Sequence, residues 1–177
     1  ETYWRYNKGT SFANSINLGN LNSGVISHFN SNECYTDYYT NSAGHDVIYS
    51  FTITNPTGVN ISLCGTNGAQ FDSDLYLVYD TTLSAIAYND NTCANQSEIT
   101  TALCKVGTYY IVVDAVTSNE LGTFTLTITE DITSSFFSNV STLDVSCHGS
   151  SNGKIISTIS GGTSPYTFSW YDSTMNL

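Results

Sequence analysis

The sequence predicts an all-β protein, an antiparallel jelly-roll-like β-sandwich followed by a partial Ig-like β domain. Apolar and polar residues alternate with a period of two in short segments between Asp46 and Thr129, as half-buried strands require. The chain is rich in Thr, Ser, Asn, Gly and Tyr, a composition that suits short strands joined by polar turns. No segment carries a convincing helical period.

Three segments show the alternation most clearly, and each is expected to turn three residues toward a core. These residues are Val59, Ile61 and Leu63; Leu75, Leu77 and Tyr79; and Phe124, Leu126 and Ile128. The whole run predicts about eight strands in two packed sheets, each with one face inward.

The pattern divides the chain into three parts. Residues 1–131 are predicted to form the sandwich, with 1–45 as an irregular lead-in that contains a short strand. Residues 132–139 are predicted to be a linker, and residues 140–177 begin a second β domain. This last part is too short for a sandwich of about 100 residues. We therefore expect the chain to be a piece of a longer one, or its open edges to be covered by another chain.

Charge excludes several classes of partner. The chain carries 15 acidic and 4 basic residues, for a formal net charge of −11. Such a chain repels phosphate backbones and anionic membrane surfaces, so no nucleic acid is expected as a partner. It has no apolar run of about 18 residues, and no membrane insertion is expected. The acidity indicates either surface solvation in a saline exterior or attraction of divalent cations.

The five Cys are dispersed, and neither they nor the three His show zinc-site spacing. Dispersed Cys in an acidic β protein indicate an oxidising extracellular environment and disulfides. Four of them, Cys34, Cys64, Cys93 and Cys104, allow three pairings that the residues alone do not decide between. The sequence has no Gly-x-Ser-x-Gly or His-Glu-x-x-His motif, and we predict that it is not an enzyme.

Calcium is the one cofactor that the sequence suggests. Asp72, Asp74, Asn89 and Asp90 supply oxygen ligands on two loops that the fold could bring together, and calcium prefers six to eight oxygens. The alternative is that these side chains cap turns by accepting backbone hydrogen bonds.

Three tyrosines are the candidates for a ligand surface. Tyr35, Tyr38 and Tyr39 lie in a polar stretch beside Cys34, and Tyr joins an apolar face to a hydroxyl group, as stacking on sugar rings requires. The alternative is that they pack over the end of the sandwich.

Residues from about Ser11 to Thr129 resemble the bacterial pre-peptidase C-terminal domain family, which has a jelly-roll-like β-sandwich. The resemblance rests on seven segments: Ser11–Ala13, Asp46–Phe51, Ser62–Gly65, Phe71–Leu77, Asn89–Asp90, Gln96–Ile99 and Gly107–Val113. In similar domains, a Cys after Ser-Leu and a Cys after Asn-Asp tend to occur together. The resemblance thus implies a Cys64–Cys93 disulfide and leaves Cys34–Cys104 as a second one.

Residues from about Val140 to Trp170 look like the opening half of a SprB-type repeat, a family named for a gliding-motility adhesin of Bacteroidota. The resemblance rests on nine residues: Cys147, Gly149, Gly153, Gly161, Gly162, Pro165, Tyr166, Phe168 and Trp170. Cys147 is expected to form a disulfide with a cysteine in the second half of such a repeat. Tyr166, Phe168 and Trp170 are expected to share one face of a strand.

Together the two resemblances imply a non-catalytic module of a large adhesin that is secreted by the type IX system and displayed at the cell surface. They imply a role in attachment and gliding motility. The expected partners are other domains of the same chain, surface polysaccharide, and outer-membrane or type IX secretion components. The alternatives are an accessory domain of a secreted hydrolase and a filament subunit that exchanges strands.

The source that the resemblance implies also makes Thr81 and Ser173, each in an Asp-Ser/Thr-x pattern, candidates for O-glycosylation.

Overall fold

The computed structural model describes residues 8–21, 24–39, 41–79, 84–131, 137–160 and 166–171. These ranges contain a 3-10 turn at Phe12–Asn14, strands and connecting loops. The strands are β1 (Ile16–Asn20), β2 (Val25–Ser31), β3 (Val47–Ile53), β4 (Thr57–Ser62), β5 (Ser73–Tyr79), β6 (Ala85–Asp90), β7 (Glu98–Leu103), β8 (Gly107–Ala115), β9 (Thr123–Glu130), β10 (Phe137–Leu143) and β11 (Lys154–Ser160). In the part described, no helix is long and apolar enough to span a membrane.

Strands β1 to β9 form two sheets that pack as a sandwich. The five-stranded sheet has the order β1-β3-β8-β5-β6, and the four-stranded sheet has the order β2-β9-β4-β7. The all-β fold class predicted from the sequence is therefore confirmed. β8 lies at the centre of the larger sheet, and β9 pairs with both β2 and β4 in the smaller one.

Alternate residues of both sheets fill the space between them, as the period of two predicts. Of the nine residues predicted to point inward, eight belong to the buried core, and Tyr79 packs against it while half-buried. β3 and β8 contribute the other central side chains, which are Val47, Tyr49, Phe51, Tyr109, Ile111 and Val113.

The central strands of the five-stranded sheet, β3, β8 and β5, are also buried on their outer face. A second apolar cluster lies there, made of Phe12, Tyr39, Ile48, Tyr76, Val78 and Val112. Phe12 comes from the 3-10 turn and Tyr39 from the segment between β2 and β3. The Tyr39 and Tyr76 rings meet edge to face with their centroids 5.0 Å apart. The lead-in thus forms a third layer over this sheet.

Gly44 lets the covering segment approach β8 closely. A Cβ atom at this position would lie 1.8 Å from the carbonyl oxygen of Ala115, so any other residue would push the segment off the sheet.

The lead-in differs from the prediction in two ways. It contains two strands rather than one, and β1 pairs with β3 in parallel, with Ile16 opposite Tyr49. The chain passes from β1 to β2 in the opposite sheet before it returns to β3, and such a crossover permits parallel pairing. The alternation in β2 is hidden because polar side chains point inward. Asn30 there donates to the Tyr49 hydroxyl at 3.1 Å.

β10 and β11 form an antiparallel hairpin, from the pair Phe137–Ser160 to the pair Leu143–Lys154. β10 begins inside the segment predicted to be a linker. Two strands do not enclose a core, and most of the described apolar side chains of this region are exposed, although Ile159 is half-buried. They include Val140, Leu143, Val145, Ile155, Ile156, Tyr166, Phe168, Trp170 and Tyr171.

Phe124→Ala should lower the free energy of unfolding by about 3–5 kcal/mol, because it leaves a cavity in the core. Phe124 is fully buried, with ring centroids 6.1 Å from Phe71 and 6.3 Å from Tyr49. The matched control is Phe29→Ala, since 67% of the Phe29 side chain is exposed. Urea unfolding should show a loss below about 0.5 kcal/mol for this variant. Equal losses in the two variants would contradict the described core.

Candidate functional site

A disulfide lies at one end of the sandwich and ties two loops together. It joins Cys64, which follows β4, to Cys93, which lies between β6 and β7, with a Cα–Cα distance of 6.0 Å. This is the pairing that the resemblance implies.

The second expected bridge is wrong. Cys34 and Cys104 are free, exposed thiols in the structure. Cys34 follows β2, whose last residue pairs with the first residue of β9, whereas Cys104 follows β7 at the level where β9 ends. The length of β9 separates them by about 20 Å, and a disulfide needs Cα atoms within about 7 Å of each other. Cys147 is also a free thiol among the described residues.

Gln96 holds the turn that follows Cys64. Its side-chain oxygen accepts from the Gly65 amide at 2.8 Å, and its side-chain nitrogen donates to the carbonyls of Gly65 at 3.1 Å and Ala69 at 2.8 Å. The disulfide and this amide clamp together fix the segment 65–69, which we call the clamped turn.

A cleft of about 780 Å³ opens on one side of the clamped turn. Asp72 and Glu120 are the two acidic side chains in its wall. Asp72 Oδ1 is shielded from solvent and has no hydrogen-bond partner among the described residues. Burial raises the pKa of Asp72, and the charge of Glu120 raises it further.

A smaller groove of about 420 Å³ lies against the same turn. Its six lining residues are Phe29, Thr66, Asn67, Gln70, Thr123 and Thr125. None of them is charged, although the chain as a whole is strongly acidic. Phe29 is the aromatic wall of this groove, and β9 supplies its floor.

The five-stranded sheet carries a row of aspartates on its outer face. Asp74 lies on β5 and pairs with Asp114 on one side and with Asp90 on the other. Asp46 precedes Val47, which pairs with Val113, and so it extends the row beside Asp114. Directly paired residues of neighbouring strands point to the same face. Asp46, Asp74 and Asp114 are all buried.

In the described part of the chain, backbone amides and hydroxyl groups, rather than Lys or Arg, bind the oxygens of this row. Asp46 Oδ2 accepts from the amides of Tyr38 at 2.6 Å and Tyr39 at 2.5 Å, while the Ser42 hydroxyl donates to Asp114. Asp46 Oδ1 has no hydrogen-bond partner in the described part of the chain. Burial, and next the charge of Asp46, raises the pKa of Asp114 to about 8. Burial also raises the pKa of Asp46.

Asp74 is held by two tyrosines. The Tyr88 hydroxyl donates to Oδ1 at 2.9 Å and the Tyr76 hydroxyl to Oδ2 at 3.4 Å. Burial raises the pKa of Asp74, and burial together with the Asp74 contact raises that of Tyr88 to about 12. The buried carboxyl groups of the row are closed to a substrate, so they serve the fold rather than catalysis.

The structure does not unite the residues predicted to bind calcium. Asp74 and Asp90 are neighbours in the row, whereas Asp72 faces the cleft. Asn89 Oδ1 accepts from Thr92 and from the Glu98 amide, which is the turn-capping role considered as the alternative. No group of three His, Cys, Asp or Glu in the described ranges is arranged to hold a metal ion. Calcium binding stays a prediction.

The three candidate tyrosines have separate environments. Tyr39 is buried in the outer cluster, and Tyr35 packs half-buried against the core and hydrogen-bonds to Asn30 at 3.3 Å. Tyr38 is exposed beside the Phe12 ring, with the centroids 5.9 Å apart. Packing therefore accounts for Tyr35 and Tyr39. The candidate glycosylation residues Thr81 and Ser173 lie outside the described residues.

Sequence reasoning missed Asp46, Asp114, Gln96 and Phe29. A signal existed for the two aspartates, since Asp46 begins one apolar run, Asp114 ends another, and antiparallel pairing of the two runs would align them. No comparable signal marks Phe29, because alternation alone does not say which face of an edge strand is open.

Residues 46–115 match the family model of the bacterial pre-peptidase C-terminal domain. Residues 139–175 match the SprB repeat. Both resemblances predicted from the sequence are thus confirmed. The first match covers β3 to β8, and β1, β2 and β9 complete the two sheets outside the matched range. Both families are non-catalytic modules, and their pairing indicates a secreted or surface-associated protein.

Among solved structures, the chain is similar to the pre-peptidase C-terminal domain of a collagenase from Bacillus anthracis. The two share 19% sequence identity with a TM-score of 0.43, over 66% of this chain and 93% of that one. No curated protein matches the chain.

Replacing both Cys64 and Cys93 with Ser should lower the free energy of unfolding by about 3 kcal/mol, because the bridge closes a loop of 29 residues in the unfolded chain. The control variant, Cys34→Ser with Cys104→Ser, should unfold like the original protein. Urea unfolding without reductant distinguishes the two. A loss confined to the control variant would reverse the disulfide assignment.

Stability should fall as the pH rises from about 4 to about 8. The pKa of Asp114 is about 8 in the folded state and about 3.9 in an unfolded chain. The folded protein therefore binds more protons than the unfolded chain in this window, and each rise in pH favours unfolding.

Asp114→Asn should flatten this pH dependence, whereas Glu33→Gln at an exposed carboxyl should leave it unchanged. Urea unfolding at pH 5, 6, 7 and 8 measures the slope. An unaltered slope in Asp114→Asn would show that this carboxyl is not the group that titrates.

Proposed function

We propose that this chain is a non-catalytic attachment module of a large secreted adhesin at a bacterial cell surface, exported by the type IX system and active in gliding motility. The observation that carries the proposal is the pairing, in one chain, of a pre-peptidase C-terminal segment with a SprB repeat. Neither module has catalytic residues, so we assign binding and display to the chain.

The geometry of the sandwich supports attachment. A module that bears load between a cell and a surface must resist local unfolding. The disulfide, the Gln96 clamp and the two-sided burial of the five-stranded sheet all oppose such opening. The net charge of −11 keeps the module soluble outside the cell and repels anionic polymers.

The proposed partners follow from this role. The other domains of the same long chain would position the module, and outer-membrane or type IX secretion components would anchor it. Surface polysaccharide is the proposed target of attachment.

A flow assay tests the proposal. In a variant with Cys34→Ser and Cys104→Ser, Cys147 is the only thiol outside the Cys64–Cys93 bridge. It couples the chain to microspheres in one orientation, away from the sandwich. Beads should be retained at least about tenfold better than albumin-coated beads on glass, agarose or polysaccharide films, because many weak contacts add up on a bead.

The matched control is the same coupled beads, reduced and heat-unfolded after coupling, which keeps the composition and the attachment through Cys147 but removes the fold. Retention no better than albumin on every film, or equal retention of the unfolded chain, would refute attachment by the folded module.

A further inference from the structure

Hydroxyl and amide side chains cover the open face of the four-stranded sheet. Its outward residues on β9 are Thr123, Thr125, Thr127 and Thr129, and β4 and β7 add Asn60, Ser62, Thr100 and Glu98. All but one of these side chains are uncharged hydroxyl or amide groups. The face is thus almost neutral in a chain that carries 15 acidic residues.

Phe29 stands at the edge of this face. It lies opposite Thr125 in the β2–β9 pair, and 67% of its side chain is exposed. The groove against it has a volume of about 420 Å³, within the range of about 300–1,000 Å³ typical of small-molecule sites. An apolar ring therefore forms one wall of a cavity whose other walls are polar.

The groove is held in shape before any ligand arrives. Phe29 is fixed by the seven-residue pairing of β2 with β9. The opposite wall, Thr66 and Asn67, belongs to the clamped turn, and the Gln70 amide donates to the Gly68 carbonyl at 3.0 Å. Because strand pairing holds one wall and the disulfide with Gln96 holds the other, little ordering entropy is lost when a ligand binds.

The polar groups around the groove are free to meet a ligand. The Asn67 amide and the hydroxyls of Thr66, Thr123 and Thr125 have no hydrogen-bond partner among the described residues. They offer donors and acceptors to hydroxyl groups, and the aromatic face of Phe29 offers stacking to the C–H face of a sugar ring.

We propose that this groove binds a neutral polysaccharide, with one pyranose ring stacked on Phe29 and its hydroxyl groups bonded to Asn67 and the neighbouring threonines. The chain of sugars continues along the hydroxyl-bearing face of β9. None of the lining residues is charged, so the groove offers no cation to pair with the carboxylate or sulfate groups of an anionic polymer. This assignment rests on the proposed attachment function and names its ligand.

Affinity electrophoresis in native gels tests the assignment, since the acidic chain migrates toward the anode without a carrier. The gels contain mannan, dextran, laminarin or hydroxyethyl cellulose as neutral probes, and polygalacturonate as the anionic probe. The original protein should be retarded in at least one neutral gel and should run freely in the anionic gel.

Phe29→Ala should weaken the binding about tenfold or more, because stacking and apolar burial are both lost. Val25→Ala is the matched control. Val25 lies on the same strand and face and is 64% exposed, but it does not line the groove. Asn67→Ala, on the opposite wall, should also weaken binding. Urea unfolding of each variant establishes that it is folded.

Three results would overturn the assignment: no retardation in any neutral gel, equal binding by Phe29→Ala and the original protein, or equal losses in Phe29→Ala and Val25→Ala. The same variants on microspheres keep the two proposals apart. If Phe29→Ala beads are retained like the original, attachment stands and the groove is not its site. If the original beads are not retained, the attachment function itself fails.

Discussion

The structure depends on the burial of both faces of the central strands of the five-stranded sheet, β3, β8 and β5. One face packs against the four-stranded sheet, and the other is covered by the 3-10 turn and the segment before β3. A sheet buried in this way has no solvent to satisfy polar groups on it. Each polar side chain on that outer face therefore needs a partner from the covering segment or must stay protonated.

The row of aspartates follows from this constraint. The amides of Tyr38 and Tyr39 satisfy one oxygen of Asp46, and Ser42 reaches Asp114. The close approach of Gly44 to Ala115 permits this cover. The acidic groups thus position the covering segment, and burial raises the pKa values of Asp46 and Asp114.

The four-stranded sheet has the opposite character, because its outer face stays open. The disulfide and Gln96 hold the clamped turn at one end of this sheet, so they do not cover the centre of its outer face. The open threonine face, the exposed Phe29 and the braced turn meet at one groove. The sandwich therefore has one side that is largely covered and one side that is open to contact.

Much of the fold could be predicted because alternation is a local property. Val59, Ile61 and Leu63 alternate with polar residues whatever their neighbours are, and the structure buries all three. Only the start of β2 showed the apolar signal of a strand, because His28 and Asn30 point inward further along it, where hydrogen bonds to Tyr49 replace apolar packing. The cysteine pairs were predictable only as far as the family resemblance reached. Cys34 and Cys104 lie near opposite ends of β9. This placement depends on the pairing register of strands that are distant in the sequence.

The sequence by itself determined the fold class, the inward faces of most strands and the kinship with two families, since each rests on residues close together in the chain. Only the tertiary structure decided which carboxyl groups meet and which aromatic side chain stays exposed. Asp46, Asp74 and Asp114 are separated by 28 and 40 positions in the chain, yet strand pairing places them side by side. Phe29 is a binding candidate only because the opposite edge of its groove comes from a turn nearly forty residues away. Contacts between distant segments depend on strand order and register, and these are set by the packing of the whole sandwich.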